Sequence, residues 1–501
     1  MRKDKFKILI IVAFLLQFYS CSRNDRNEIP KPGGIVAVEL PDKPGMTVKG
    51  IVRDQNGKGI KGIVVTDGFN FVVSDEYGRY YLPTDLDKSR FVYLSVPAEY
   101  AIPYNKENQV TFYQKLTSGV VNEKYFSLDK LGAPADNHTM IMVGDTQVRS
   151  DDNSIPNFEN KIIPDIAAHQ RTLSSPCYLM NLGDLVNNEV DFYPQYRAII
   201  GDAGVPIFNV IGNHDHDKSK KGDVETTYIF QDNFGPLNYS FSIGKIHYIV
   251  LDDVIYTGNA GTPYERGLTD EVLEWLRKDL SYLEKGAKII LNCHIAPLDS
   301  NLGSNNSQNF RNFEGMMALL EKYDVQVFAG HRHATDNYIY DRPAKMEMHQ
   351  VARTGGHLHI NGDFCHDGTP SGYLVVEVKG EDISWYYKAV GNRTPQTYQM
   401  TVFPPGIGSS NQVLANVWNY DTAWGNVEWW ENGQKVSNMM RTSDYFDPNY
   451  DAEYRTCTGV AQTSPFYVWH MFSVTPSPGV RMGTVKAFDR FGNKYEKSVN
   501  W

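Results

Sequence analysis

The chain has 501 residues, which at roughly 150 residues per domain predicts about three domains. Hydrophobic residues make up 41% of the chain and charged residues 22%, as in ordinary soluble globular proteins. The formal net charge is −10 and the sequence has no long basic run. A nucleic acid is therefore not expected as a partner, because phosphate backbones are bound by clustered lysine and arginine side chains.

The N-terminus has a basic start followed by the apolar run Ile8 to Phe18. This run is too short to span a bilayer as a helix, so it predicts a signal peptide over residues 1–21. The placing of Cys21 after it resembles the lipobox of bacterial lipoproteins, although Tyr19 is bulkier than the usual lipobox residue. The resemblance implies a lipid on Cys21 as the only membrane contact, and a location in the bacterial envelope, periplasmic or on the outer surface. Secretion with an unmodified cysteine is the alternative, and residues 22–45 are expected to form a polar tether.

Residues 46–130 contain short runs of alternating polar and apolar residues. Turn signals such as Asn56-Gly57 and Asp67-Gly68 separate these runs. This spacing predicts a small β-sandwich. The stretch "SDEYGRYYL" resembles the turn of the carboxypeptidase-regulatory-like sandwich. The region has no cluster of titratable residues, so we expect an accessory role.

Residues 136–362 have a different pattern, in which apolar strands alternate with helical segments. In "LTDEVLEWLRKDLSYLEK" the leucines repeat at helical spacing, and Thr269 is placed to cap the N-terminus of the helix. Strands and helices that alternate predict an α/β layered core. Residues 363–501 are strand-like again, with many aromatic residues, and predict a second β-sandwich that begins with "GYLVVEV" and "DISWYYKAV".

Five apolar strands of the middle region end in residue types that bind metals. In open α/β sheets such strand ends form the edge where ligands bind, since the loops beyond them are the first exposed backbone. We therefore expect these polar residues to converge. They are Asp145 and Gln147, Asp184 and Asn187, Asn213 and His214, His294, and His331 and His333.

Seven of these side chains have donor types that suit two divalent metal ions: two carboxylates, two amides and three imidazoles. One bridging carboxylate would give about four bonds per ion and leave open positions for water and substrate. Two aspartates cancel only half of the charge of two divalent ions. The remaining positive charge favours a phosphate ester and its transition state.

The ordered series "GDTQ", "GDLVNN", "GNHD", "NCH" and "GHRH" resembles the five motifs of the calcineurin-like metallophosphoesterases. The resemblance implies a multidomain protein with a central α/β layered β-sandwich metallophosphoesterase core, flanked by two small all-β sandwich domains. It also implies a metal-dependent phosphoric ester hydrolase with two divalent ions (Mn, Fe, Zn or Mg). A metal-bound hydroxide would attack a phosphate mono- or diester.

The resemblance further assigns roles to single residues. His214 would act as general acid at the leaving oxygen, and Asp215 would orient His214 by accepting its other N–H. Asp184 would bridge the ions. One ion would be held by Asp145, Gln147, Asp184 and His333, and the other by Asp184, Asn213, His294 and His331.

Two departures from the family pattern affect these expectations. The first motif usually has histidine where this chain has Gln147, so this amide is either a weaker oxygen ligand or a hydrogen-bond partner of a bound water. The second motif has Asn187 where protein phosphatases have aspartate, and it lacks the tyrosine of purple acid phosphatases.

Further residues near the motifs have open roles. His216 is either a substrate contact or a solvated loop residue, and residues 257–267 are expected to line the mouth of the site. Histidines 357, 359 and 366 could suggest a third metal, but water-facing positions on a strand are favoured.

Three functions remain open from the sequence. The first is a two-metal phosphoesterase, acting as a monomer on a small phosphorylated substrate. The second is a catalytically weak or inactive phosphoesterase fold that serves as an envelope binding module, for which Gln147 is the only support. The third keeps the metals but cleaves a different bond.

Overall fold

The computed structural model describes most of the chain after the expected signal peptide. The described residues are 38–298, 310–340, 346–355, 362–391, 394–395, 397–461 and 468–501. Cys21, His357 and His359 lie outside them, so the interpretations of these residues stay predictions. Within these ranges, no helix has both the length and the hydrophobicity needed to cross a membrane.

The N-terminal region is a β-sandwich, as predicted. Its two sheets have the strand orders β4-β1-β7 and β3-β2-β5-β6. Alternate residues of β4 are buried, which agrees with the period-two pattern in the sequence. The strands are β1 Val48–Asp54, β2 Val64–Thr66, β3 Phe71–Val73, β4 Arg79–Leu82, β5 Phe91–Ser95, β6 Tyr113–Lys115 and β7 Asn122–Leu128.

The central region is built on two larger sheets that pack face to face. The first has the order β10-β9-β8-β20-β21 and the second β11-β12-β15-β17-β19-β18, and a third, smaller sheet has the order β13-β14-β16. The strands are β8 Asn137–Val143, β9 Cys177–Asn181, β10 Ile207–Asn209, β11 Tyr239–Ile243, β12 Ile246–Val250, β13 Val254–Asn259, β14 Thr262–Gly267, β15 Lys288–Asn292, β16 Phe310–Arg311, β17 Asp324–Ala329, β18 Asp336–Tyr340, β19 Met346–Gln350, β20 Gly372–Lys379 and β21 Asp382–Ala389.

Helices cover the outer faces of these sheets. Helix α6 begins as predicted, because the Thr269 hydroxyl accepts a hydrogen bond from the backbone N of Val272 at 3.2 Å. Its apolar face buries Trp275, Leu276 and Leu280, at roughly 1.5–3 kcal/mol for each side chain. The helices are α1 Ser154–Asn157, α2 Ile163–Gln170, α3 Tyr193–Gly201, α4 Asp223–Thr226, α5 Tyr228–Phe234, α6 Asp270–Leu280 and α7 Phe313–Leu320, with a π-helix at Phe158–Ile162 and a 3₁₀-helix at Val190–Phe192.

Strands β20 and β21 lie in the central region, which corrects the expected boundary at residue 363. Strand β20 pairs antiparallel with β8, from Leu374 opposite Met142 to Lys379 opposite Asn137. Strand β21 follows it at the edge of the same sheet. The alternating pattern of these strands showed that they have a buried face but not which sheet they join. The C-terminal sandwich therefore begins later than predicted.

The C-terminal region is a second β-sandwich, with the orders β22-β23-β27-β26 and β25-β24-β28-β29. The hydroxyl of Thr335 in the central region donates to the carbonyl oxygen of Trp418 in this sandwich at 2.6 Å. The elements are β22 Met400–Phe403, β23 Val413–Val417, β24 Glu428–Glu431, β25 Gln434–Asn438, β26 Met440–Thr442, α8 Pro448–Thr458, β27 Met471–Val474, β28 Met482–Phe488 and β29 Lys494–Asn500.

Candidate metal centre

The predicted ligand residues lie in five loops that follow parallel strands of the two central sheets. Strands β8, β9 and β10 run parallel in the first sheet, and β15 and β17 run parallel in the second. Their carboxyl ends meet along one edge of the layered core. The loops carry, in chain order, Asp145 and Gln147 after β8, Asp184 after β9, Asn213 after β10, His294 after β15, and His331 and His333 after β17.

Five of these residues have a backbone conformation that amino acids other than glycine seldom adopt. A positive φ costs of order 1–3 kcal/mol at each such residue, so the surrounding structure must hold it in place. The φ values are 43° for Asp145, 37° for Gln147, 55° for Asp184, 75° for His331 and 54° for His333. The strain is concentrated at the candidate ligands.

Two glycines allow these loops to approach one another. A Cβ atom on Gly212 would lie 2.2 Å from the backbone N of Asp184 and 2.3 Å from its Oδ1. A Cβ atom on Gly183, which has a φ of 91°, would lie 2.5 Å from Nδ1 of His294. The second and third motifs therefore need glycine at these positions for their backbones to pack against the ligands.

The donor atoms form two groups that share one carboxylate. One group is Asp184, His294 and His331, and the other is Asp145, Asp184 and His333. Within each group the donor atoms lie within 4.8 Å of one another. Oδ1 of Asp184 is 3.3 Å from Nε2 of His294, and Oδ1 of Asp145 is 3.3 Å from Nε2 of His333. Asp184 thus occupies the position of the expected bridge.

Both predicted amides lie beside these groups. Oδ1 of Asn213 is 3.0 Å from Nε2 of His294 and 2.9 Å from Nδ1 of His331, so it points to the same centre as the two imidazoles. The side chain of Gln147 donates from Nε2 to Oδ2 of Asp184 at 2.7 Å. Gln147 therefore contacts the shared carboxylate, an arrangement that leaves both of its expected roles open.

The charge of the cluster fits bound cations. Asp145 and Asp184 are fully buried, and among the described residues their ion-pair partners are His333 and His294. Burial would lower the pKa of His294, but the charges of Asp184 and Asp145 outweigh it and raise this pKa to about 10. Two buried carboxylates this close require positive charge. Carboxylate, imidazole and amide donors are the ligand types of divalent ions such as Zn²⁺ and Mn²⁺.

Asp253 fixes the loop that carries His294, a role the sequence analysis missed. Its carboxylate accepts hydrogen bonds from the backbone N of His294 at 3.1 Å and of Ile295 at 2.9 Å. Nδ1 of His294 contacts the carbonyl oxygen of Leu182 at 2.8 Å, which leaves Nε2 free to face the site. Asp253 also follows an apolar strand, so the rule that found the ligands could have found it.

His214 lies at the site but has a different partner from the one predicted. Its Nδ1 is 2.9 Å from Oδ1 of Asn188, not hydrogen-bonded to Asp215. Its backbone N donates to Oδ1 of Asp184 at 2.8 Å, which ties it to the shared carboxylate. Asn188 stands next to Asn187 in the second motif and has a φ of 68°, which turns its side chain back toward His214.

Asp215 instead joins the loops of the second and third motifs. Its carboxylate accepts from the backbone N of Leu185 at 3.0 Å and of Gly212 at 2.9 Å, and from the hydroxyl of Tyr193 at 3.0 Å. Burial, aided by the charge of Asp184, raises the pKa of Asp215 to about 7. The prediction that Asp215 orients His214 directly is wrong, because these backbone groups and the tyrosine occupy its oxygens.

His216 is buried rather than solvated. Its Nδ1 is 2.9 Å from the hydroxyl of Thr226, and its ring stacks on Tyr256 with the centroids 5.0 Å apart. The hairpin of β13 and β14 therefore lies against the loop of the third motif.

One protein family matches most of the described region in three consecutive segments. Residues 135–335 match the family described as calcineurin-like phosphoesterase. Residues 46–131 match the description of its N-terminal part, and residues 349–495 that of its C-terminal part.

The individual relatives have low sequence identity to this chain and match only part of it. A probable glycerophosphodiester phosphodiesterase from Arcobacter nitrofigilis is 27% identical over 225 residues, which cover 42% of this chain and 80% of that protein. Purple acid phosphatase 23 from Arabidopsis thaliana is 29% identical over 180 residues, covering 32% of this chain and 37% of the plant protein. The structure of a purple acid phosphatase from yellow lupin seeds aligns with a TM-score of 0.36 and 14% identity, over 75% of this chain and 69% of that one.

Proposed function

We propose that this chain, a member of the calcineurin-like phosphoesterase family and a metal-dependent phosphoric ester hydrolase, cleaves a phosphate mono- or diester. The cleavage would take place at a two-metal centre with His214 as general acid. The observation that supports this best is the sharing of Asp184 between two groups of donor atoms. A single carboxylate common to both groups is what a pair of closely spaced cations requires.

The proposed ligands follow the two groups. One ion would be held by Asp145, Asp184 and His333 with Gln147, and the other by Asp184, His294 and His331 with Asn213. When bound, the two cations supply the Lewis acidity that neutralises charge on the phosphoryl oxygens and makes a water nucleophilic near neutral pH.

The residues around this centre have three tasks. Asn188 and the backbone contact to Asp184 hold the imidazole of His214 in one orientation. Because Nδ1 of His214 donates to Asn188, Nε2 is the atom that would carry a proton to the leaving oxygen. Asp145, Asp184, His294 and His333 are buried, so charge interactions at the site are stronger than they would be in water.

The substrate is proposed to be a small phosphorylated compound. The names of the relatives include a phosphodiesterase and an acid phosphatase, which supports testing diesters and monoesters together. We place the protein in the bacterial envelope, anchored through a lipid on Cys21, because the motif after the apolar N-terminal run is of the lipoprotein type. We further propose that it acts as a monomer.

The decisive experiment measures hydrolysis of bis-p-nitrophenyl phosphate and p-nitrophenyl phosphate before and after removal of metal with EDTA. We expect EDTA to abolish turnover, and Mn²⁺, Zn²⁺, Fe²⁺ or Mg²⁺ to restore it. His214→Ala should lower kcat by about 10²–10⁴-fold on esters of poor leaving groups such as glycerol 3-phosphate, with a smaller loss on the p-nitrophenyl esters. His169→Ala, which changes a histidine outside the motifs that contacts Tyr386, should leave kcat unchanged.

Two results would contradict the proposal. Metal binding without turnover of either ester would support the alternative of an inactive binding module, consistent with glutamine at position 147 of the first motif. Turnover that survives complete metal removal would exclude the two-metal mechanism.

A further inference from the structure

We infer that Tyr264 is a substrate-contacting residue that selects phosphate esters whose organic group carries a planar ring. The inference rests on the proposed function, because it assigns Tyr264 to the same site. Tyr264 lies in the hairpin of β13 and β14, whose residues are expected from the sequence to line the mouth of the site.

The register of the hairpin puts two tyrosines on one face. Tyr256 of β13 lies directly opposite Tyr264 of β14, and residues directly opposite in an antiparallel pair point to the same side of the sheet. The ring of Tyr256 stacks on His216 with the planes 13° apart. The ring of Tyr264 meets His331 edge to face, with the centroids 6.0 Å apart and the planes at 86°. This face therefore extends from the loop that carries His214 to a candidate ligand.

Tyr264 differs from the buried tyrosines of the core. It is half-buried, and among the described residues its hydroxyl has no hydrogen-bond partner. By contrast, the hydroxyl of Tyr193 donates to Asp215 and that of Tyr239 donates to the carbonyl oxygen of Asn209. A tyrosine with one enclosed side and a free hydroxyl is suited to contact a ligand through its ring and its hydroxyl together.

The chemistry of these two parts indicates the substrate class. A phenol keeps its proton at neutral pH, so the hydroxyl of Tyr264 can donate a hydrogen bond to an oxygen of the ester. The ring offers a flat apolar surface beside His331, against which an aryl or nucleoside group packs better than a short alkyl chain. A substrate with a ring next to the phosphoryl group would use both parts.

The test compares Tyr264→Phe and Tyr264→Leu with the wild type on p-nitrophenyl phosphate, adenosine monophosphate and glycerol 3-phosphate. Tyr264→Phe should lower kcat/KM about fivefold on all three esters, because it removes only the hydroxyl. Tyr264→Leu should lower kcat/KM by a further tenfold or so on the two ring esters, mainly through KM, and have no further effect on the glycerol ester.

Metal content and thermal midpoint must stay at the wild-type values in both variants. Tyr282→Phe and Tyr282→Leu are the matched controls, since this tyrosine is exposed and stacks on Phe71 rather than on the site. Wild-type rates in both Tyr264 variants would overturn the inference and leave the proposed function intact. Equal losses on ring and alkyl esters would overturn the ring preference. If the wild type hydrolyses neither these three esters nor bis-p-nitrophenyl phosphate with any metal, the proposed function fails, and the inference fails with it.

Discussion

Nδ1 of His214 lies 2.9 Å from Oδ1 of Asn188, and the backbone N of Asn188 donates to the carbonyl oxygen of His214 at 3.2 Å. The amide of Asn188 is itself held, because its Nδ2 donates to Oδ1 of Asn187 at 3.1 Å. Two neighbouring asparagines of the second motif thus orient the proposed general acid. An amide accepts the imidazole N–H without adding a negative charge beside the candidate metal centre.

Replacing this amide should impair proton transfer more than metal binding. We expect Asn188→Ala to lower kcat about 10–100-fold for esters of alcohols, with a smaller loss for p-nitrophenyl esters, whose leaving group needs little help from an acid. Metal content should not change. Asn160→Ala, which alters an exposed asparagine bonded to the carbonyl oxygen of Pro156, is the control. An equal loss on good and poor leaving groups would show that Asn188 has only a structural role.

The sharing of Asp184 predicts a pattern of metal stoichiometry. The wild type should hold about two ions per chain, and His333→Ala or His294→Ala about one, because each histidine belongs to only one donor group. Asp184→Ala should reduce both sites, and His169→Ala neither. Elemental analysis after dialysis against a chelator-free buffer measures the ratio. Retention of two ions by Asp184→Ala would contradict the shared carboxylate.

The close packing of Gly212 on Asp184 predicts the effect of one methyl group. A Cβ atom at position 212 would meet the backbone and the carboxylate of Asp184, so Gly212→Ala should cost about 1–3 kcal/mol of stability. It should also weaken metal binding, because the carboxylate must move. Gly132→Ala is the control, since a Cβ atom there meets no atom within 4 Å. Thermal unfolding with and without metal tests both effects, and unchanged midpoints in Gly212→Ala would refute the argument.

Acid should destabilise the central region partly through His138. Its Nε2 is 2.6 Å from the hydroxyl of Tyr248, and burial lowers the pKa of His138 to about 4, against about 6.5 in an unfolded chain. Between these values the unfolded chain binds a proton that the folded chain does not. The stability is therefore fully present above about pH 6.5 and is lost as the pH falls toward 4.

The change of the unfolding midpoint between pH 7 and pH 5 measures this contribution. His138→Gln should show a smaller change than the wild type, because the titrating ring is gone. Tyr248→Phe keeps the imidazole, so its midpoint should be lower at both pH values while the change between them remains. The same pH dependence in His138→Gln and in the wild type would assign the acid sensitivity to other groups.

The sequence predicted those features that depend on residue type and spacing. It predicted the three-part β-rich architecture and the cap of α6, and it selected side chains that the structure brings together at Asp184. It did not predict contacts that depend on the path of a loop. Asn187 and Asn188 have the same chemistry, and only the backbone conformation of Asn188 directs its amide to His214.

The remaining differences have the same origin. Asp215 is adjacent to His214 in sequence, but its oxygens are taken by the backbone of two loops and by a tyrosine. Strands β20 and β21 were predicted to belong to the C-terminal sandwich. The alternation of polar and apolar residues shows that a strand has one buried face, but it does not identify the neighbouring strand.

The pairing of β20 with β8 limits how the enzyme can be shortened. The segment that matches the catalytic part of the family ends at residue 335, whereas β20 begins at Gly372. A chain cut after residue 335 would leave unpaired the edge of β8 that β20 covers. The unpaired backbone N–H and C=O groups of that edge would form hydrogen bonds with strands of other molecules. Such a fragment should aggregate on expression even though it keeps every proposed metal ligand, so a working truncation has to extend past Ala389.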